Sequence, residues 1–194
     1  MPPKTIAIID LKSKKTASIA EVLNRLRVEY EVLIAAYWAP GYHPDYELYS
    51  GIILSGSNTL LTETNMQPYL KDFAFLKDLQ IPVLGICFGH QLLGVLHGAD
   101  VFKGEPVRKS IQIKIIQKDN LFEGLENQPT FVEDHTEGIT LPLGFDVIAQ
   151  SDQYEVEAMR HKQKQMYGVQ FHPEVSGKNG EIILKNFCDL INPS

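Results

Sequence analysis

Apolar and polar positions along the first half of the chain predict strands and helices in alternation. Three short apolar runs have the length and composition of buried strands: residues 5–9, 31–34 and 51–54. Two further segments, at about 17–27 and 68–79, repeat apolar residues at helical spacing. Strand–helix–strand alternation predicts a mostly parallel sheet with right-handed crossovers. Ligands of such sheets bind beyond the carboxyl ends of the strands.

The second half has a different pattern, in which apolar and polar residues alternate with a period of two. Three segments fit half-exposed strands: residues 111–115, 145–149 and 155–159. The apolar segment at 180–187 predicts a closing helix, with Cys188 on its inner face. No repeat or Gly/Ser linker interrupts the chain, so residues 1–194 are expected to form one domain. Its expected class is α/β, with a mostly parallel central sheet flanked by helices and extra antiparallel strands.

Composition narrows the class of partner. The net charge of −6 argues against nucleic acid and against anionic membranes, because both call for basic patches. No apolar run approaches the roughly 20 residues of a membrane-spanning helix. Two cysteines fit a reduced, cytoplasmic setting better than a disulfide framework. Residues 1–4 lead straight into the first strand without a signal peptide, and 38–44 is expected to be a loop.

Cys87 lies at a predicted strand-to-helix turn, between the apolar run 81–84 and a helical pattern that begins at Gln91. Gly85 and Gly89 flank it, which is the layout of a nucleophile elbow: a sharp turn lifts the nucleophile above the sheet edge. The start of a helix also favours a thiolate over a thiol. A lone buried cysteine is more often a small apolar core residue. The elbow interpretation therefore needs a base.

His172 and Glu174 can supply that base. Residues 166–171 alternate like a strand, and Pro173 stops the pattern, so His172 is expected at a strand end with Glu174 pointing to the same side. A cysteine nucleophile needs a base, and the base needs a carboxylate to fix its tautomer. On spacing alone, a histidine at a strand end is more often a cap or surface residue. Together with Cys87, it predicts a Cys–His–Glu triad.

The segments around these residues resemble those of the class I glutamine amidotransferases, which have a flavodoxin-like fold, and the resemblance covers nearly the whole chain. It implies that Cys87 attacks the side-chain amide of glutamine and forms a γ-glutamyl thioester. It also implies that His172 is the general base and acid and that Glu174 orients it. The backbone N–H of Phe88, directly after the nucleophile, is then one oxyanion-hole donor.

The same resemblance implies a second oxyanion donor, the backbone N–H of Ser57, in the turn at residues 55–58. The family usually has Ser-Gly-Gly-Pro there, whereas this chain has Ser-Gly-Ser-Asn. Ser57 therefore stands in place of the second glycine and Asn58 in place of the proline. A serine keeps the backbone N–H, but it resists the φ > 0 that a glycine often marks.

Within the family, residues 121–125, 134–139 and 141–149 are most similar to the separate glutaminase subunit of two-subunit GMP synthases. That likeness implies a group of residues that line the glutamine site: Gln91, Asp134, Thr136 and Glu137. It also implies that His135, a rival base by residue type, helps to couple the subunits instead. Residues 175–180 depart from the threonine- and histidine-containing stretch that is usual there, so the coupling is less strongly indicated than the thiol chemistry.

A partner is implied because free ammonia is mostly ammonium at neutral pH and a poor nucleophile. The chain has no G-x-x-x-x-G-K-[ST] phosphate loop, so ATP and Mg²⁺ would belong to a separate ATP-pyrophosphatase subunit that aminates xanthosine monophosphate (XMP) to GMP. No cofactor is expected in this chain, and no metal, since neither C-x-x-C nor H-x-x-x-H spacing occurs. Three alternatives stay open: a stand-alone γ-glutamyl peptide hydrolase, a glutaminase for another synthetase, and a non-enzymatic relative that keeps the triad.

Overall fold

The computed structural model describes residues 5–38, 42 and 44–191. Residues 1–4 and most of the predicted loop at 38–44 lie outside these ranges. The described residues form these strands: β1 (Ile6–Asp10), β2 (Tyr30–Ile34), β3 (Gly51–Leu54), β4 (Val83–Ile86), β5 (Val101–Val107), β6 (Ser110–Gln112), β7 (Lys114–Ile115), β8 (Thr130–Val132), β9 (His135–Ile139), β10 (Phe145–Gln150), β11 (Ala158–His161) and β12 (Met166–Val169). They also form these helices: α1 (Thr16–Arg25), α2 (Gln67–Asp72), α3 (Phe88–Leu96) and α4 (Gly177–Ile191).

Within the described ranges, eight strands make one sheet in the order β2-β1-β3-β4-β12-β11-β10-β7. The five from β2 to β12 are parallel, and β11, β10 and β7 continue the sheet by antiparallel pairing. Two small antiparallel pairs, β5 with β9 and β6 with β8, lie outside this sheet. The predicted α/β class with a mostly parallel central sheet is confirmed.

The apolar alternation of the central strands divides the core into two layers, one on each face of the sheet. In β1, Ile6 and Ile8 belong to the layer that contains α1 and α4, whereas Ala7 and Ile9 belong to the layer that contains α3. All four side chains are at most 1% exposed, because β1 has strand neighbours on both sides and helices on both faces. The strands that carry the site are therefore held on all sides.

The single helix predicted at 68–79 is wrong. The helix α2 ends at Asp72, and a separate 3₁₀ turn follows at Ala74–Lys77. Aromatic packing accounts for the break: Phe73 is buried beside Trp38, with ring centroids 5.7 Å apart, while Phe75 stacks on Tyr46 at 4.1 Å. A continuous helix would turn these two rings about 200° apart and could not satisfy both contacts.

The strand predicted at 111–115 is divided between two sheets. β6 pairs with β8, whereas β7 pairs with β10 in the main sheet. Between them Ile113 is buried, and its N–H donates to the Pro129 carbonyl at 2.9 Å. The period-two pattern is real, but it spans a change of partner that periodicity cannot detect.

The strand predicted at 155–159 begins later than expected, at Ala158. The register between β10 and β11 shifts at this point, and the Glu157 N–H donates to the Ala149 carbonyl at 3.1 Å. The Glu157 side chain, just before this strand, is fully buried. The closing helix α4 is longer than predicted and buries Cys188, as expected. No helix in the described part of the chain is both long and apolar enough to cross a membrane.

Candidate active site

Three predicted site segments follow directly on three neighbouring strands. β3 pairs in parallel with β4, and β4 pairs in parallel with β12. The turn at 55–58 follows β3, Cys87 follows β4, and His172 comes three residues after the end of β12. Because the carboxyl ends of adjacent parallel strands meet at one edge of the sheet, the structure brings the three segments together.

Cys87 occupies a strained turn between β4 and α3. Its backbone has φ 51° and ψ −105°, a conformation that non-glycine residues rarely adopt, and α3 begins at the next residue. The Cys87 N–H donates to the Val169 carbonyl at 2.8 Å, which ties the elbow to β12. Gly85 and Gly89 do not have positive φ values. Gly85 instead allows the strand end to pack closely against the start of α3, since a Cβ on Gly85 would lie 2.5 Å from the Gly89 carbonyl oxygen.

His172 and Glu174 form a buried pair beside the elbow. His172 Nδ1 lies 2.7 Å from Glu174 Oε1, and the two residues are 3% and 6% exposed. The strand ends earlier than predicted, at Val169, and Pro173–Val175 form a 3₁₀ turn that folds the carboxylate back under the ring. Nδ1 therefore donates to Glu174. Nε2 has no hydrogen-bond partner among the described residues.

Electrostatics favour the charged form of this histidine. Burial alone would lower the pKa of His172, but its interactions with Cys87 and Glu174 raise that pKa to about 10. Both interactions favour an imidazolium ring, which lies between a sulfur and a carboxylate. An imidazolium in this position can give a proton to a leaving group without first having to collect one.

The turn at 55–58 packs against both catalytic candidates. The buried Ser55 hydroxyl accepts the Leu11 N–H at 2.9 Å and donates to the Gly56 carbonyl at 2.9 Å, which fixes the turn. A Cβ on Gly56 would lie 3.3 Å from His172 Cε1. Ser57 does not have a positive φ, so the serine carries none of the backbone strain that its replacement of a glycine suggested.

These segments border a cleft of about 380 Å³. Cys87, His172 and Ser57 line one part of it, and charged side chains line the mouth. Asp134 pairs there with Lys15 at 2.6 Å and lies 3.9 Å from Arg108. The cleft thus offers charges of both signs within reach of a thiol.

The chain matches the family model of Glutamine amidotransferase class-I over residues 7–190. It belongs to the class I glutamine amidotransferases. It is 40% identical to the glutamine-hydrolyzing GMP synthase subunit of Pyrococcus abyssi over 144 residues, which are 73% of this chain and 75% of that relative. The subunit of the same name from Archaeoglobus fulgidus is 37% identical over 143 residues, 72% of this chain and 75% of that relative.

Solved structures agree with this assignment. A Thermoplasma acidophilum protein provisionally named as a GMP synthase subunit has a TM-score of 0.84 at 28% identity, over 96% of this chain and 93% of that one. A glutamine amidotransferase of Thermotoga maritima has a TM-score of 0.74 at 21% identity, over 91% of this chain and 79% of that one, a likeness of fold alone. The family resemblance found in the sequence is confirmed.

The residues predicted to bind glutamine in this amidotransferase all line the cleft, but the side chains of Gln91 and Glu137 form hydrogen bonds within its wall. The Glu137 carboxylate accepts the N–H groups of Leu61 and Thr62, at 2.7 and 2.9 Å, and so anchors the loop after the 55–58 turn. Gln91 donates from Nε2 to the Glu137 carbonyl at 2.9 Å. Gln91 and Glu137 therefore shape the wall, while Asp134 and Thr136 lie nearer to solvent.

His135, the rival base, has a different set of contacts from His172. Its Nδ1 lies 2.9 Å from the Glu137 carbonyl oxygen, which can only accept a hydrogen bond, and its Nε2 lies 2.9 Å from Glu133 Oε2. Burial lowers the pKa of His135. Both ring nitrogens of His135 are thus directed to groups other than the Cys87 thiol.

Two residues of the site were not singled out by motif or pattern: Lys15 and Arg108. Lys15 belongs to the loop after β1, and loops after parallel strands are where ligands bind. That rule could have pointed to Lys15. Arg108 follows the strand β5, which was not predicted, so nothing in the sequence indicated its position.

Replacing Glu174 with glutamine should slow turnover by on the order of 10²-fold, the effect of losing one charge-assisted hydrogen bond to an imidazolium. The amide still accepts from Nδ1, but it no longer stabilises the positive charge, so the pKa of His172 falls. Residual activity should then peak at lower pH, where the ring is still protonated. Glutamate release measured across pH tests this, with Glu181→Gln as the exposed control on α4. An unchanged pH profile and rate would contradict it.

Proposed function

We propose that this chain is a glutaminase that hydrolyses the side-chain amide of glutamine through a thioester on Cys87. The observation that carries the proposal is the meeting of a strained cysteine turn with the His172–Glu174 pair in one cleft. A zwitterionic amino acid suits the mouth of that cleft, where Lys15, Arg108 and Asp134 supply charges of both signs. Family membership supports the same chemistry.

In the first half-reaction, the Cys87 sulfur attacks the amide carbon of glutamine. The carbonyl oxygen becomes an oxyanion, which the backbone N–H groups of Phe88 and Ser57 can stabilise. The His172 imidazolium protonates the amide nitrogen, the carbon–nitrogen bond breaks, and ammonia leaves. A γ-glutamyl thioester on Cys87 and a neutral His172 remain.

In the second half-reaction, His172 acts as a base. The neutral ring takes a proton from water, and the hydroxide attacks the thioester carbon. The carbon–sulfur bond breaks, glutamate leaves, and the imidazolium and the Cys87 thiolate are restored. Glu174 stabilises the ring each time it becomes positive.

The ammonia is proposed to pass to an ATP-pyrophosphatase partner that aminates XMP to GMP. The relatives named as GMP synthase subunits, at 38 to 40% identity, support this assignment. ATP and Mg²⁺ would be held by that partner. The segment that departs from the expected pattern, residues 175–180, forms the first turn of α4 and the link to it. Ser176 there donates to the His172 carbonyl at 2.6 Å and accepts the Val132 N–H at 2.9 Å.

The test is glutamate release by the purified chain, alone and then with a GMP-synthase ATP-pyrophosphatase subunit, ATP and XMP. Weak activity alone that rises at least about 10-fold with the complete partner mixture supports the proposal. Omitting XMP is the matched control, because stimulation should need the acceptor.

Two results would overturn the coupling. Equal activity with and without the partner would contradict it. Efficient cleavage of γ-glutamyl peptides, indifferent to the partner, would assign the same triad to a stand-alone hydrolase.

A further inference from the structure

Three buried ionisable side chains converge behind the cleft, apart from the triad. Glu133 lies between β8 and β9, His135 begins β9, and Glu157 precedes β11. One ligand-type atom of each lies within 4.8 Å of the others, and the residues are only 1%, 7% and 0% exposed. None of the three has a role in the proposed thioester chemistry.

The atoms that meet there are acceptors with too few donors. His135 Nδ1 faces a carbonyl oxygen and must donate to it, so the neutral ring presents a lone pair at Nε2, 2.9 Å from Glu133 Oε2. This Nε2, both Glu133 oxygens and Glu157 Oε2 have no hydrogen-bond partner among the described residues. Facing acceptors repel unless something positive lies between them.

We propose that Glu133, His135 and Glu157 bind a divalent first-row transition metal ion such as Zn²⁺. One imidazole nitrogen and two carboxylate oxygens make a donor set that this class of ion accepts. A proton can bridge only one pair of these acceptors at a time, whereas one cation contacts all three. The proposed glutaminase function does not include this metal site, and the site does not depend on that function.

Supporting contacts already orient two of the ligands. The Glu137 carbonyl holds His135 by Nδ1 and leaves Nε2 for the metal, the usual arrangement of a metal-bound histidine. The Ser151 hydroxyl donates to Glu157 Oε1 at 2.5 Å and fixes that carboxylate. His135 also lines the cleft, which gives an ion a route from solvent.

A bound cation would stabilise the ionised form of the two carboxylates, because Glu133 and Glu157 are only 1% and 0% exposed. It would also link β9 to the segment before β11. The ion is therefore expected to stabilise the cleft wall that carries Asp134 and Thr136.

The sequence did not indicate this site. Glu133 and His135 are close along the chain, but Glu157 comes from a segment whose period-two pattern put it on the polar face of a strand. In the structure its side chain is fully buried. The expectation of no metal rested on motif spacing, which cannot detect ligands brought together from distant segments.

The test uses the tag-free Cys87→Ser chain, in which the catalytic thiolate cannot compete for metal. After removal of metal with a chelator, Zn²⁺ alone is titrated against a competing indicator, and thermal unfolding is followed with and without Zn²⁺. One tightly bound equivalent and a higher unfolding temperature are expected. In the Glu133→Gln variant of that chain the affinity should fall at least about 10²-fold, and the temperature rise should vanish.

Two features separate this result from simple misfolding. Glu133→Gln removes a buried charge without changing volume, so the metal-free variant should be at least as stable as its parent. Glu155→Gln, an exposed neighbour of the cluster in sequence, is the matched control and should bind like the parent. No tight equivalent of Zn²⁺, or equal binding by the Glu133→Gln variant, would overturn the site. Neither result bears on glutamine hydrolysis, because the Cys87→Ser variant lacks the proposed nucleophile.

Discussion

Replacing Cys87 with alanine is expected to reduce glutamate release by at least about 10³-fold, because no other described residue that lines the cleft carries a thiol for the proposed thioester. The fold should persist, because the change removes only one sulfur atom at the edge of the cleft and leaves the packing around it otherwise unchanged. Urea unfolding should differ from that of the parent by about 1 kcal/mol at most. Steady-state glutamate release and urea unfolding are the two measurements.

Cys188→Ala is the matched control for this change. Cys188 is also a buried cysteine, 6% exposed against 5% for Cys87, but it lies on α4, where burial raises its pKa to about 12. A thiol of this kind is inert, so the control should retain turnover. Full activity in the Cys87→Ala variant would show that the chain keeps the triad without using it for turnover.

Gly180→Ala is expected to lower the free energy of unfolding by about 3 kcal/mol or more. The Gly180 Cα packs against Pro173, in the 3₁₀ turn that contains Glu174, and an added Cβ would overlap the Pro173 carbonyl oxygen. Backbone must then move, either at α4 or at the turn. Either movement displaces Glu174 from His172, and a displacement near 1 Å should cost turnover on the order of 10²-fold.

Gly177→Ala is the matched control, because it replaces a nearby glycine whose Cα has no such close contact. Gly177 has φ 59° and no atom within 4 Å of its added Cβ, so alanine there costs only about 1 kcal/mol of backbone strain. Urea unfolding and glutamate release of the two variants are compared directly. Equal destabilisation by the two variants would show that the contact with Pro173 is not the reason why alanine at position 180 is destabilising.

The parallel half of the fold could be predicted because its strands are short, apolar on both faces and bounded by polar turns. Residues 51–54 were predicted with the bounds that β3 has in the structure. The pattern failed where tertiary contacts decide the outcome. Phe73 and Phe75 pack in directions that one helix cannot provide, and residues 111–115 change partner at Ile113.

The predicted catalytic residues lie together for a reason that the sequence contains. Cys87 and His172 each end an apolar run, and runs of that kind become neighbouring parallel strands whose ends meet. The contact of Glu174 with His172 was predicted from strand alternation, yet it is made through the 3₁₀ turn at Pro173–Val175. The Glu133–His135–Glu157 cluster was not predicted, because it joins residues from two segments that are far apart in the chain.

The most direct test of the account is covalent labelling with a glutamine analogue whose amide is replaced by a chloroketone. Attack by the Cys87 sulfur on this electrophile gives a stable thioether, which peptide mass spectrometry can locate. We expect one label per chain, on Cys87; glutamate release should be lost in proportion to the labelling, and excess glutamine should slow it. Label on Cys188 or another residue, or full labelling without loss of turnover, would contradict it.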